Sequence, residues 1–292
     1  MLTKSQKAVL YMVGSVICFS SMDLIVKYLN DVPFGQVLFM RFFFGMIPIL
    51  FLIPRNKIFT FYKTKRPILH AFRAVSGTIA IIALFVALRN LPLADVISLT
   101  FTGPLFVTIM SVIFLSEKVG IRRWSAVLIG FIGMLFIVRP AFEEMNLYYI
   151  FPIIFSLGFA NVAISIRSLS KTEPNYLIAF YFSILSLLVG LSTILNGWIW
   201  PTPYEALLFA ILGLSGGIAN LLLTQSYRLA DASLVSPIKY LSLVVAVVAG
   251  YLIFSEIPKS MTLLGASLIV VSSFIIFRRE ATLKKQVVAP RV

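Results

Sequence analysis

Ten stretches of mainly apolar residues follow one another along this 292-residue chain, and they leave it little choice of fold. A helix needs about 20 such residues to cross the hydrocarbon core of a bilayer. The predicted spans are 8–28, 34–53, 68–89, 94–115, 122–138, 147–167, 176–195, 205–227, 232–254 and 262–278. Short connections rich in Pro, Asn, Asp, Lys and Arg separate them, with no room for a water-soluble domain. Lipid offers the backbone no hydrogen-bond partner, so only helices and closed barrels span it. Barrel strands alternate over about 10 residues. These segments are longer and uniformly apolar, so an all-α integral membrane protein with ten transmembrane helices is expected. The charged fraction agrees: 12% here, against about 25% in soluble domains.

The net charge of +14 would suit nucleic acid if it formed a basic face. It does not, because the basic residues sit between apolar blocks. No nucleic-acid partner is expected, and the lipid bilayer is. With ten spans, 18 of the 25 Lys and Arg residues fall on one set of sides and 4 on the other, with Arg41, Arg73 and Lys239 inside spans. Cytoplasmic loops carry the excess of Lys and Arg, so both termini are expected in the cytoplasm of a cell with an inner membrane. The connection 54–67 is the main basic loop, read as a topology signal. Residues 1–7 are short and basic and no small-residue cleavage site closes the apolar stretch that follows, which reads as an uncleaved signal anchor.

Several functions drop out. One cysteine, Cys18, and one histidine, His70, give no disulfide, no multi-histidine metal site and no cofactor motif. A membrane-embedded enzyme needs converging nucleophile, base or metal ligands, and a receptor needs an output domain. Neither is visible. A channel would carry a filter or charged rings. No G-x-x-x-x-G-K-[ST] phosphate loop is present, so ATP does not drive the chain directly.

The chain also repeats itself. Leu93-Ala94-Asp95 recurs as Leu229-Ala230-Asp231, and Ser116-Glu117 as Ser255-Glu256. Glu117 precedes Arg139 by 22 residues, as Glu256 precedes Arg278. Phe19 and Lys27 are matched by Phe159 and Arg167, eight apart in both cases. A three-residue insertion reconciles the offsets. The expected division is residues 1–140, a first five-helix repeat, 141–279, a second, and 280–292, a short basic tail. Five is odd, so the second repeat lies inverted in the membrane. Secondary transporters are built this way, with substrate sites near the midplane between halves that rock to give alternating access.

These features resemble the drug/metabolite transporter superfamily and its EamA family. The resemblance rests on Arg41-Phe42-Phe43, Arg66-Pro67, Leu91-Pro92-Leu93-Ala94-Asp95, Pro104-Leu105-Phe106, Leu115-Ser116-Glu117 and Arg123-Trp124 with Gly130 and Gly133. It covers nearly the whole chain. It implies a secondary carrier of a small polar metabolite, with exchange against a counter-substrate or a coupled proton as the driving options. Within the superfamily, the runs Ser236–Leu241 and Phe254–Pro258 look most like the S-adenosylmethionine uptake carriers of obligate intracellular bacteria. Amino-acid or drug exporters and riboflavin importers share the framework and remain alternatives.

A site for an asymmetric ligand must break the repeat symmetry, so unmatched polar residues inside spans are the substrate candidates. Charge at the bilayer centre costs ~2.5–3.5 kcal/mol on insertion scales. Lys239 would attract a carboxylate or phosphate, or snorkel to the interface. Asp23 shares a helix face with Lys27: it pairs with Lys27, binds a cationic group, or takes up a coupling proton. Arg41 holds a ligand carboxylate or bridges to Asp23 or a helix end. Asn161 and Asn220 reach ligand or neighbouring helices, as Gln225 does. Tyr181, Tyr240 and Tyr227 offer rings for a flat ligand. His70 and Arg73 read as interface anchors. Pro104 and Pro237 remove helix hydrogen bonds and offer kinks or hinges. Gly213, Gly216 and Gly217 allow close helix contact. Glu117 and Glu256 are expected to gate or to pair with Lys or Arg.

Overall fold

The computed structural model describes residues 3–54, 62–115, 120–143, 146–169, 172–229 and 236–288. Among them the chain forms only helices and connections. The α-helices are α1 (Lys4–Tyr28), α2 (Phe34–Phe51), α3 (Pro67–Asn90), α4 (Leu93–Thr100), α5 (Gly103–Leu115) and α6 (Ile121–Glu143). They continue with α7 (Ile150–Leu169), α8 (Asn175–Leu191), α9 (Pro203–Leu229), α10 (Leu241–Phe254) and α11 (Ser260–Val288). These make ten crossings: α4 and α5 share one, and the 3-10 turn Ser236–Tyr240 runs into α10 in another. Six crossings carry at least 18 strongly apolar residues and four are shorter apolar helices. The ten-helix membrane fold expected from the spans is the one observed. An even number of crossings puts both ends of the chain on one face, here called the terminal face. The opposite one is the Lys27 face.

Local chemistry sets the helix ends. Thr3 and Gln6 form a reciprocal capping box at the start of α1: the Gln6 N–H donates to Thr3 Oγ1 at 3.2 Å and the Thr3 N–H to Gln6 Oε1 at 2.9 Å. Pro67 opens α3, where a missing N–H costs no hydrogen bond. Gly197 (φ 83°), which L side chains adopt poorly, ends the 3-10 turn Ile194–Asn196. The last helix continues to Val288, well beyond the predicted end of its span.

The two halves are related by a pseudo-two-fold, and the packing shows it. α1 lies along α9 as α7 lies along α3, and α2 packs on α9 as α8 packs on α3. The pairs α2–α8, α4–α10 and α6–α11 cross the axis. Residue contacts follow the same rule. A Cβ on Gly133 would fall 2.7 Å from the Gly265 carbonyl oxygen. Shifted by 139 residues, Gly133 becomes Ser272 and Ala126 becomes Gly265, and Ser272 Oγ donates to the Ala126 carbonyl. Phe42 and Phe182, 140 apart in sequence, meet edge to face with centroids 5.1 Å apart. Small residues carry these crossings because dispersion, not hydrophobic burial, holds helices together in lipid.

The fourth crossing of the first half is discontinuous. α4 stops at Thr100 and α5 starts at Gly103. Carbonyls at the break find side-chain donors: Ser156 Oγ donates to Leu99 O at 3.2 Å and Ser273 Oγ to Phe101 O at 3.2 Å. Irregular backbone inside a membrane persists only where protein satisfies it in this way. The sequence reading placed the bend at Pro104. The break lies before it, because Pro104 is the second residue of α5, a position that asks no N–H of it. Pro237 likewise lies at the start of its crossing, in the turn Ser236–Tyr240. Both prolines begin helical segments.

Candidate functional site

A small cavity lies between the two halves, lined by Ser20, Asp23 and Leu24 of α1, Leu93 and Ile97 of α4, and Ser242, Val245 and Ala246 of α10. Its walls are mainly aliphatic, with three polar side chains among them. Asp23 is 8% exposed, and its Oδ1 has no hydrogen-bond partner. Ser20 Oγ is also buried and without a partner. A buried carboxylate oxygen left unpaired is costly, and in a membrane it marks a function. Such a lining suits a positively charged ligand group that carries its own apolar substituents.

The cavity is closed towards the Lys27 face. Lys27 Nζ lies 2.7 Å from Glu256 Oε1 and donates to the Leu91 carbonyl at 2.6 Å. Glu256 Oε2 accepts the Leu93 N–H at 2.7 Å. This cluster ties α1, the end of α3, the start of α4 and the α10–α11 connection together. Asp95 braces it from the side, accepting from Tyr149 Oη at 2.5 Å and from Thr262 Oγ1 at 2.7 Å. The expected pairing of Asp23 with Lys27 is not formed. Glu256, from the other half, takes Lys27 instead, and Asp23 stays open to the cavity.

Aromatic rings lie beyond Ile97 and Ser242 towards the terminal face, outside the cavity lining. Phe101, at the break between α4 and α5, packs on Tyr240 with centroids 5.0 Å apart. Lys239 Nζ lies 5.9 Å from the centroid of Phe159, whose ring also covers Gly103. Ser242 Oγ donates to the Lys239 carbonyl at 2.8 Å. Lys239 and Tyr240 are thus about one turn from the cavity wall.

Arg41 sits behind Asp23, not in the cavity lining. It is 4% exposed, donates through Nε to Met22 Sδ at 3.2 Å, and lies over Phe42 at 4.8 Å. Two glycines make its slot: a Cβ on Gly216 would come within 2.5 Å of the guanidinium, and one on Gly45 within 2.6 Å. Asp23 and Arg41 act on each other electrostatically without forming a contact ion pair.

The remaining candidates are dispersed. Asn161 is half-buried on α7, away from the cavity lining. Asn220 is exposed and donates to the Gly216 carbonyl of its own helix at 3.0 Å. Tyr181 Oη donates to the Tyr62 carbonyl at 2.5 Å, and its ring packs on His70 near the terminal face. His70 and Arg73, expected as interface anchors, are buried at 1% and 8% exposure between α3 and α8, with Arg73 4.2 Å over Phe182. Glu117, Ala230, Asp231 and the side chain of Tyr227 lie outside the described residues. Sequence reasoning missed Ser20 and Ser242. Helical spacing offered one signal: Leu93, Ile97 and Phe101 fall on one face of α4, aimed at α10.

An inverted pair of five-helix halves, a broken crossing and a cavity between the halves that holds a buried acid define a membrane transporter. The chain belongs to the EamA-like transporter family, whose profile matches residues 6–139 and 146–278. It is 30% identical over 94% of its length to the S-adenosylmethionine uptake transporter of Rickettsia bellii, covering 94% of that protein. A riboflavin transporter of Rhizobium johnstonii is 29% identical, with 93% of this chain and 91% of that one covered. The pseudopaline exporter CntI of Pseudomonas aeruginosa is 28% identical over 94% and 96%. A solved crystal structure, 17% identical, superposes with a TM-score of 0.63 over 93% of this chain and 97% of that one, and supports the fold alone.

Proposed function

We propose that this protein is a secondary carrier of S-adenosylmethionine or a closely related sulfonium or ammonium metabolite. The single observation that carries the reading is Asp23, a buried acid with an unpaired carboxylate oxygen in the lining of a mainly aliphatic cavity between the halves. A sulfonium centre brings a fixed positive charge wrapped in carbon, and that combination fits an acid among aliphatic walls. The name borne by the Rickettsia bellii relative points to the same substrate class. Residues 1–140 and 141–279 act as the two rocking units, and 280–292 extends from the second. Both termini face the cytoplasm, which makes the Lys27 face the outer one. Exchange against a counter-substrate or a coupled proton supplies the drive.

Counterflow of radiolabelled S-adenosylmethionine into proteoliposomes tests this directly. Accumulation driven by unlabelled S-adenosylmethionine inside, and none by S-adenosylhomocysteine, which lacks the charge, is the expected result. Equal driving by both compounds contradicts a role for the charge, and no uptake of either contradicts the substrate.

A further inference from the structure

We infer that Phe101 and Tyr240 form a second subsite, which takes a planar ring of the substrate while Asp23 takes its charged end. This rests on the carrier function proposed above and divides the substrate between two places.

Size is the first reason. Pockets for drug-sized ligands enclose roughly 300–1,000 Å³, and the free space at Asp23 takes little more than a water molecule. It leaves no room beside the acid for a ring system. The ring must extend past one end. The Lys27 end is shut by an ion pair and three backbone hydrogen bonds. Towards the other end, one turn past the lining residue Ile97, lies the Phe101–Tyr240 pair.

Position is the second reason. Phe101 and Tyr240 are 139 residues apart, the shift that relates the contacts of α6 and α11. They meet across the boundary between the two halves, where carriers of inverted design bind substrate. Phe101 lies between α4 and α5, and Tyr240 ends the 3-10 turn that leads into α10. Both rings are half-buried.

Spacing is the third. Phe101 follows the cavity-lining Ile97 by four residues, roughly 6 Å along a helix. In an adenosyl sulfonium, five bonds separate sulfur from the base nitrogen, which with bends spans roughly 6 Å at ~1.5 Å per bond. Stacking on an aromatic ring tolerates any flat base, so the subsite selects for a ring and not for its edge pattern.

Counterflow with two sulfonium compounds tests the division. S-methylmethionine has the charged end and no ring. Tyr240→Leu and Phe101→Leu should weaken S-adenosylmethionine competition by roughly 5- to 150-fold, the loss of one stack, and leave S-methylmethionine within about twofold by the same scale. Tyr240→Phe should retain the wild-type preference. Equal losses for both compounds, or a wild-type protein that does not distinguish them, overturn the subsite. If neither compound is carried, the substrate reading has failed by itself. The subsite is then decided by thermal stabilisation with adenosine: a rise in apparent Tm in the wild type and none in Tyr240→Leu upholds it, and no rise in either overturns it.

Discussion

Lys27 and Glu256 come from opposite halves of the molecule and meet at 2.7 Å, with side chains only 11% and 23% exposed. The carboxylate also accepts the Leu93 N–H, so it caps α4 while it pairs. Removing one partner strands the other. Glu256→Ala should lower stability by ~1–3 kcal/mol, less than for a fully buried pair because water still reaches this one. It should also loosen the closed Lys27 face. A thiol label at Leu24→Cys, applied from that side, should react faster in Glu256→Ala than in the wild-type background. The swap Lys27→Glu with Glu256→Lys should restore part of the protection, and unchanged labelling in all three would remove the gate.

Asp23→Asn keeps the shape and removes the charge. Its Oδ1 has no hydrogen-bond partner to lose, and its charge acts on Arg41 without a contact pair, so apparent Tm in detergent should fall only slightly. Counterflow of a cationic substrate should fall by roughly 10- to 150-fold, the worth of one charge-assisted interaction. A large drop in Tm with unchanged transport per folded molecule would assign Asp23 to structure alone.

The crossings were legible because lipid demands runs of apolar residues, and the half-chain repeat was legible in pairs such as Lys27 with Arg167. Asp23 stood out for the same reason, as a charge where charge is expensive. Its partner did not. Helix spacing favours Lys27, four residues on, but Glu256 reaches Lys27 from the other half, and no local pattern encodes that. Ser20 and Ser242 gave no signal, since serines on membrane helices commonly bond their own backbone, as Ser98 does to Ala94. Asn220 looked like a ligand for want of knowing that it bonds Gly216. The break at Phe101 was hidden because its support, Ser156 and Ser273, comes from distant helices.

Those two serines carry a prediction of their own. Ser273→Ala takes the donor from the Phe101 carbonyl, a loss of about 1–3 kcal/mol where nothing replaces it, whereas the Leu99 carbonyl keeps the Thr102 N–H and Oγ1 when Ser156 is lost. Thermal unfolding should show Ser273→Ala destabilised relative to both Ser156→Ala and Ser267→Ala, the last of which bonds its own helix on an exposed face. Equal Tm for all three would mean that other groups satisfy the break.

Glycine contacts between α2 and α9 give a steric test. A Cβ on Gly213 would meet the Gly45 nitrogen at 2.9 Å and the Met40 carbonyl at 3.0 Å, backbone that cannot swing away. Gly213→Ala should cost about 1–3 kcal/mol through overpacking. Gly120→Ala, with nothing within 4 Å of its Cβ, should be close to neutral in the same melt.

Alternating access around the Asp23 cavity is open to one direct measurement. Cys18 is the single native cysteine, so Cys18→Ala provides a clean background for paired spin labels. One pair at Tyr28 and Ile257 reports the Lys27 face; another at Ile113 and Thr172 reports the terminal face. Pulsed electron–electron distances in lipid, with and without S-adenosylmethionine, should shift in opposite senses at the two pairs, one widening as the other narrows. Distances that move together, or that ignore the substrate at both faces, would contradict rocking of two inverted halves about a shared site.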